Sequence, residues 1–237
     1  MTKVLLVVSG ADHWTLKDGT RHPTGYWAVE FIHPHQVFTK AGYDITIATP
    51  GGVTPTVDQI SLRPEFNGND QANVDAQRKY LADLGDALAK PARLEDMNPA
   101  DFDAVYVSGG HGPMEDLADN ADIGRIYAAM YPDKRKVVAA DCHGVDALLP
   151  ARNADGSWVF AGKRMTGFTN EEETQFGFGD KAIWLLETRL RENGADFRGG
   201  PAFTPTVVID GNLITGQNPA SAEPSAEAVV KYLADAK

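Results

Sequence analysis

The sequence predicts an α/β sandwich built on a mostly parallel central sheet. Short, near-continuous apolar runs recur along the chain, and helical patterns alternate with them. The reactive residue types also cluster just after such runs, at the carboxyl ends of strands, where ligands bind in open parallel sheets.

The first strand is expected over Lys3 to Val8 and leads into the loop Ser9-Gly10-Ala11. A helix follows that ends at Lys40-Ala41-Gly42, with Gly42 as its stop. Pro34 is placed near the start of that helix, because a proline ring clashes with a preceding turn, so Glu30 falls at the helix mouth. The second strand is Asp44 to Thr49. The stretch 50–98 is longer than a simple crossover needs. It holds a loop-like Asp58 to Gly68 and an amphipathic Ala72 to Leu88, and reads as a small inserted cap within one domain spanning 1–237. Further strands are expected at Asp103 to Val107 and Lys136 to Ala140, and helices at Met114 to Met130, His143 to Leu149, Lys181 to Asn193 and Ser221 to Ala236. Asp155-Gly156 predicts a hairpin between Arg152 and Lys163, and Gly211-Asn212 predicts another between Val207–Asp210 and Leu213–Thr215.

Composition narrows the function classes. The chain has 237 residues, 43% hydrophobic and 23% charged, enough for one sizeable core. A formal charge of −11 argues against non-specific binding to nucleic acid or anionic membranes. One cysteine excludes an internal disulfide framework, and the N-terminal apolar stretch is too short for a signal peptide or a membrane span. A cytoplasmic enzyme is expected.

That cysteine, Cys142, sits where the apolar run from Val137 turns into a helical pattern. A side chain on such a strand-to-helix turn projects out of the sheet, while the next backbone amides face whatever it attacks. A helix N-terminus would also lower the thiol pKa. The alternative is a buried structural cysteine. The loops after the first, third and fourth strands, namely Ser9–Ala11, Ser108-Gly-Gly-His-Gly-Pro113 and Asp141-Cys-His-Gly144, are expected to converge on one pocket. There Gly109 and Gly110, with the amide of His143, could form an oxyanion hole. Standard nucleotide-binding glycine motifs are absent. No histidine follows His143, so a triad with a histidine well downstream of the cysteine is excluded. His33-Pro34-His35 offers no evident third metal ligand, and no metal site is assigned. His13, Trp14, His22 and Tyr26 could line the pocket or a dimer contact.

Five motifs, in order, resemble those of the ThiJ/PfpI superfamily: Thr24-Gly-Tyr-Trp-Ala-Val-Glu30, Gly109-Gly-His-Gly-Pro-Met-Glu-Asp-Leu117, Cys142-His-Gly144, Thr166-Gly-Phe-Thr-Asn-Glu-Glu-Glu173 and Asp210-Gly-Asn-Leu-Ile-Thr-Gly-Gln-Asn-Pro219. The chain most resembles the heat-shock chaperone and glyoxalase III branch. The resemblance implies a flavodoxin-like three-layer sandwich, usually dimeric, with Cys142 as nucleophile, His143 beside it, Glu30 touching the sulfur and an acid orienting the histidine. That acid is taken as Glu173, with Glu171 and Glu172 as the adjacent alternatives. The chain departs from the branch at Asp141, Val145-Asp146 and Ile183-Trp184, which leaves the pocket's shape open.

A carboxylate ~4 Å from a thiolate would be repelled by ~4 kcal/mol at an effective dielectric of ~20, so Glu30 is expected to be protonated when Cys142 is ionised. The resemblance implies a glutathione-independent glyoxalase that turns a small 2-oxoaldehyde such as methylglyoxal into a 2-hydroxy acid without metal or cofactor. Two other readings remain: a holdase chaperone or redox sensor using Cys142, and a cysteine-dependent hydrolase, hydratase or deglycase acting on another small electrophile.

Overall fold

The computed structural model describes residues 1–236. In chain order the elements are β1 (Lys3–Val7), β2 (His13–Thr15), β3 (Arg21–Pro23), α1 (Ala28–Lys40), β4 (Asp44–Thr49), α2 (Gln71–Asp83), α3 (Asp86–Ala89), β5 (Ala92–Arg93) and β6 (Ala104–Val107). After these come α4 (Pro113–Asp116), α5 (Ala121–Met130), β7 (Val137–Asp141), β8 (Arg164–Met165), α6 (Asn170–Phe176), α7 (Leu186–Glu192), β9 (Asp196–Phe197), β10 (Val207–Asp210), β11 (Leu213–Gly216) and α8 (Ala222–Asp235). Seven strands form one sheet in the order β10-β11-β7-β6-β1-β4-β5. Only the β10–β11 pair, closed by the Gly211-Asn212 turn, is antiparallel.

Alternation along the central strands explains the layers. Leu5, Val7, Val105, Val107, Val138 and Ala140 face a core completed by Ile123, Ile126 and Tyr127 of α5 and by Leu186 and Leu190 of α7. Val4, Leu6, Ala104, Tyr106, Val137 and Ala139 face the other side, against Phe31 and Phe38 of α1 and Val229 and Leu233 of α8. Strands buried on both faces must be apolar throughout, hence the runs visible in the sequence. Among the described residues no helix is long and apolar enough to cross a membrane.

Several boundaries differ from the sequence reading. Pro34 lies inside α1, in its second turn, and not near the start. The apolar stripe Ala28, Phe31, Ile32 and Phe38 has to pack on the sheet, and that tertiary gain outweighs the hydrogen bond Pro34 cannot donate. The stretch 114–130 is two helices, because Asn120 caps α5 by accepting from the amides of Asp122 and Ile123. The 72–88 helix stops at Asp83 and resumes after Gly85, whose φ of +51° breaks it. The helix expected at 181–193 starts only at Leu186. Residues 142–148 form 3-10 turns and not an α-helix. The Asp155-Gly156 hairpin is reduced to a single bridge between Arg152 and Trp158.

The stretch 50–98 is the β4-to-β6 crossover and supplies the edge strand β5. Its earlier part clamps the entry to α1. Tyr26 bridges Val57, the Tyr26 amide donates to Thr56 O, and the Ala28 amide donates to Ser61 Oγ at 3.1 Å, which caps α1 from across the crossover. Gly25 permits this contact, since a Cβ there would collide with the Thr56 carbonyl oxygen. Gly25→Ala is therefore expected to cost ~1–3 kcal/mol of stability through forced backbone movement. Urea denaturation measures this, and an unchanged midpoint would refute the clamp.

Candidate active site

β7 is buried along its whole length and ends at Asp141, after which Cys142 adopts φ +56°. Positive φ in a non-glycine residue is strained and persists only where the surroundings impose it. Here the imposition comes from both sides. A Cβ on Gly144 would lie 2.8 Å from the carbonyl oxygens of Val107 and Ser108, so the turn after Cys142 can pack onto β6 only with glycine. A Cβ on Gly109 would collide with Glu30 Oε2 and come within 2.7 Å of Cys142 Cβ. Gly109 is thus the gap through which Glu30 reaches the cysteine.

His143 folds back from the turn so that Nδ1 lies 3.4 Å from Cys142 Sγ. Its Nε2 lies 2.6 Å from Glu173 Oε2 on α6, while the second oxygen of Glu173 lies 2.8 Å from His111 Nε2. One carboxylate therefore bridges two imidazoles. Burial opposes its charge, yet the two rings hold Glu173 well below the usual carboxyl range. With Glu173 ionised, the hydrogen-bond pattern assigns the His143 proton to Nε2 and leaves Nδ1 as an acceptor facing the thiol. Burial, and then the neighbouring His111, lower the pKa of His143 against the pull of Glu173. The adjacent acids have other tasks. Glu172 closes a capping box with Thr169 and accepts from the Phe203 amide, Gln217 and Asn218, whereas Glu171 is exposed.

Burial is also the largest influence on the thiol and on Glu30. Cys142 is pushed well above its ordinary value by burial, then by Glu30 and Asp141. The expectation that the following helix would lower it fails, because short 3-10 turns offer little dipole and the surrounding acids act the other way. Burial raises Glu30 to about 8, so near neutral pH it carries its proton. The Cys142 thiol, and after it the amides of Gly110 and Gly109, face the carboxyl and temper this shift, but neither Glu30 oxygen closes a hydrogen bond of good geometry. Asp141 is raised well above its usual value, first by burial and then by Glu30; its carboxyl lies against Gly216 of β11.

These groups meet at a cavity of about 930 Å³, walled by Glu30, Gly110, His111, Cys142 and His143 on the sheet side and by residues of the 60–77 stretch opposite. The profile of the DJ-1/PfpI family matches residues 23–232. The chain belongs to this family. It is 32% identical over 238 residues to Glyoxalase 3 of Candida albicans, covering 97% of this chain and 98% of that one. It is likewise 32% identical over 234 residues to the glutathione-independent glyoxalase HSP31 of Saccharomyces cerevisiae, covering 94% of each. The solved structure of Rapid Encystment Protein 24 KDa from Francisella tularensis superposes with a TM-score of 0.86 at 31% identity, over 98% of this chain and 99% of that one.

Within this DJ-1/PfpI chain, several residues singled out from sequence lie elsewhere. The Ser9–Ala11 loop does not line the cavity; Ser9 Oγ and the Gly10 amide donate to Asp116, each at 2.7 Å, and buttress the glycine loop from behind. Gly109 does not line the cavity either, packing between Glu30 and Cys142. Trp14 and His22 also miss the cavity, Trp14 stacking on His111 at 4.5 Å and His22 lying tilted against Phe178 at 4.7 Å. Tyr26 is core, and His13 pairs with Asp12 and Glu115 at the surface. None of Asp141, Val145, Asp146, Ile183 and Trp184 lines the cavity, so none of these departures places a side chain on its walls. His111 is the functional candidate that sequence reasoning missed. Its signal in the sequence is its place among the glycines of Gly109-Gly110-His111-Gly112. His111, His143 and Glu173 place donor atoms within 4.8 Å of one another, but each Glu173 oxygen already accepts from a ring, so a cation would have to displace both bonds.

Glu30 yields a prediction about stability. Its folded-state value of about 8 exceeds its ordinary 4.5, so between these the folded chain keeps a proton that the unfolded chain releases. The contribution is complete below 4.5 and is lost as pH rises toward 8. The melting temperature is expected to fall across this window, and to fall less in Glu30→Gln. Identical slopes in the two proteins would show that Glu30 titrates normally.

Proposed function

We propose that this chain is a glutathione-independent glyoxalase that converts methylglyoxal or a related 2-oxoaldehyde into the 2-hydroxy acid. The observation that carries the reading is the line from the Cys142 thiol to His143 Nδ1 and on to Glu173, opening on a cavity beside a protonated Glu30. The names of the two yeast relatives point the same way.

In this scheme Cys142 Sγ bonds to the aldehyde carbon while its proton passes through His143 Nδ1 to the new hydroxyl, giving a hemithioacetal and a neutral imidazole. A thiol with a raised pKa suits this, because the anion forms only as the bond forms. The amides of Gly110 and His143 and the Glu30 hydroxyl stand by to stabilise the developing oxyanion. His143 Nδ1 then takes the hydrogen of the former aldehyde carbon as a proton, and the resulting enediol is reprotonated at the neighbouring carbon. The product is a thioester, which water cleaves to the 2-hydroxy acid and free thiol. The sum is one 2-oxoaldehyde plus one water. The reading also includes a cytoplasmic homodimer acting on this small substrate, apart from nucleic acid and membranes; the net charge of −11 supports the last two points.

Cys142→Ala is expected to reduce glutathione-free lactate formation from methylglyoxal to the uncatalysed background. Turnover equal to the parent would eliminate the scheme. His111→Gln keeps a donor for Glu173 but removes the neighbouring imidazole that lowers the His143 pKa. The acid limb of its kcat/KM profile should move to higher pH, and an unmoved limb would separate His111 from the relay.

A further inference from the structure

The cavity is much larger than a three-carbon dicarbonyl needs. At about 930 Å³ it lies near the top of the ~300–1,000 Å³ typical of sites for far larger ligands. Its walls carry aromatic rings in two groups, each anchored on one of the site imidazoles. Trp27, Phe66 and Phe176 pack edge to face, with centroids 5.5 to 5.9 Å apart, and Phe176 stacks on His111 at 5.9 Å. Phe168 lies 4.5 Å from His143 and carries Phe203 against it at 6.2 Å.

Phe66 and Phe203 stand out among these rings because each leaves much of its surface open to the cavity. They are 47% and 44% exposed, the only aromatic residues among the strongly exposed large hydrophobics of the described chain, and both line this cavity. Phe203 is also held at φ +56°, with its amide bound to Glu172 Oε1 at 2.8 Å. That bond accounts for the backbone, and the ring it carries is left half exposed at the cavity wall.

We infer that the site is built for 2-oxoaldehydes bearing an aryl group, with the dicarbonyl at Cys142 and the ring held among Phe66, Phe176 and Phe203. The inference rests on the glyoxalase reading and names its substrate class. An aryl ring gains offset and edge-to-face contacts with these side chains, whereas a methyl group leaves them facing water. The balance of the reaction is unchanged: an arylglyoxal plus water gives the 2-aryl-2-hydroxy acid, mandelate in the case of phenylglyoxal.

The test compares phenylglyoxal with methylglyoxal in the parent, Phe66→Ala and Phe203→Gly, glycine being chosen because it tolerates the positive φ. The parent should favour phenylglyoxal roughly tenfold or more in kcat/KM, and each variant should lower that ratio several-fold. A ratio near one, or a preference that both variants preserve, overturns the inference. Calorimetry on Cys142→Ala supplies a readout independent of turnover. Mandelate should bind at least several-fold tighter than lactate, and lose that advantage in the double variants with Phe66→Ala or Phe203→Gly. Equal binding of the two acids also overturns the aryl subsite. Absence of turnover with both aldehydes, alongside selective mandelate binding, would instead count against the glyoxalase reading alone.

Discussion

The site depends on one carboxylate shared by two rings. Glu173 receives a hydrogen bond from His143 on one oxygen and from His111 on the other, and this double acceptance fixes its charge, the His143 tautomer and the direction of Nδ1. Much of the neighbouring architecture keeps it in place. Glu172 is tied to Thr169, Gln217, Asn218 and the Phe203 amide, so the first turn of α6 cannot rotate without breaking its own cap and bonds to two other segments. Trp14 stacks behind His111 and Phe168 lies against His143. The Gln217-Asn218 part of the last motif is thus explained by what it does for α6, not by contact with a reacting atom.

The cysteine has the opposite environment. Glu30 and Asp141 are both buried beside it, and burial pushes both carboxyls up, Glu30 to about 8, since neither has a cation to compensate an ionised form. They make the thiolate costly. The polarity of the centre is therefore divided: one ionised carboxylate beyond the imidazoles, and on the sulfur side two acids whose ionisation burial opposes. In the proposed scheme this division lets a proton move from sulfur toward His143 without leaving two negative charges in contact.

How much of this could be read in the chain varies with the range of the interactions. The parallel strands and the Gly211-Asn212 hairpin were legible because burial and turn geometry act locally on residue type. The turn at Cys142 was legible for the same reason. The place of Pro34 was not, because it is decided by what α1 packs against, and periodicity alone cannot weigh a proline against a sheet. The assignment among Glu171, Glu172 and Glu173 rested on a resemblance; three consecutive acids differ only by the rotation of a helix, which the sequence leaves open. His111 was invisible as a partner of Glu173 because the two are 62 positions apart. Asp141, Asp146, Ile183 and Trp184 invited the opposite error: unusual neighbours of a reactive residue whose side chains lie outside the cavity it faces.

The cap over α1 has a consequence for how the molecule breathes. Because Ser61 holds the Ala28 amide and Thr56 holds the Tyr26 amide, the crossover and the first turn that bears Glu30 share their hydrogen bonds. They form one cooperative unit, and neither can fray alone. Opening the roof of the cavity therefore also releases the acid beside the sulfur, so a fluctuation wide enough to flood the site with water would at the same moment dismantle its chemistry.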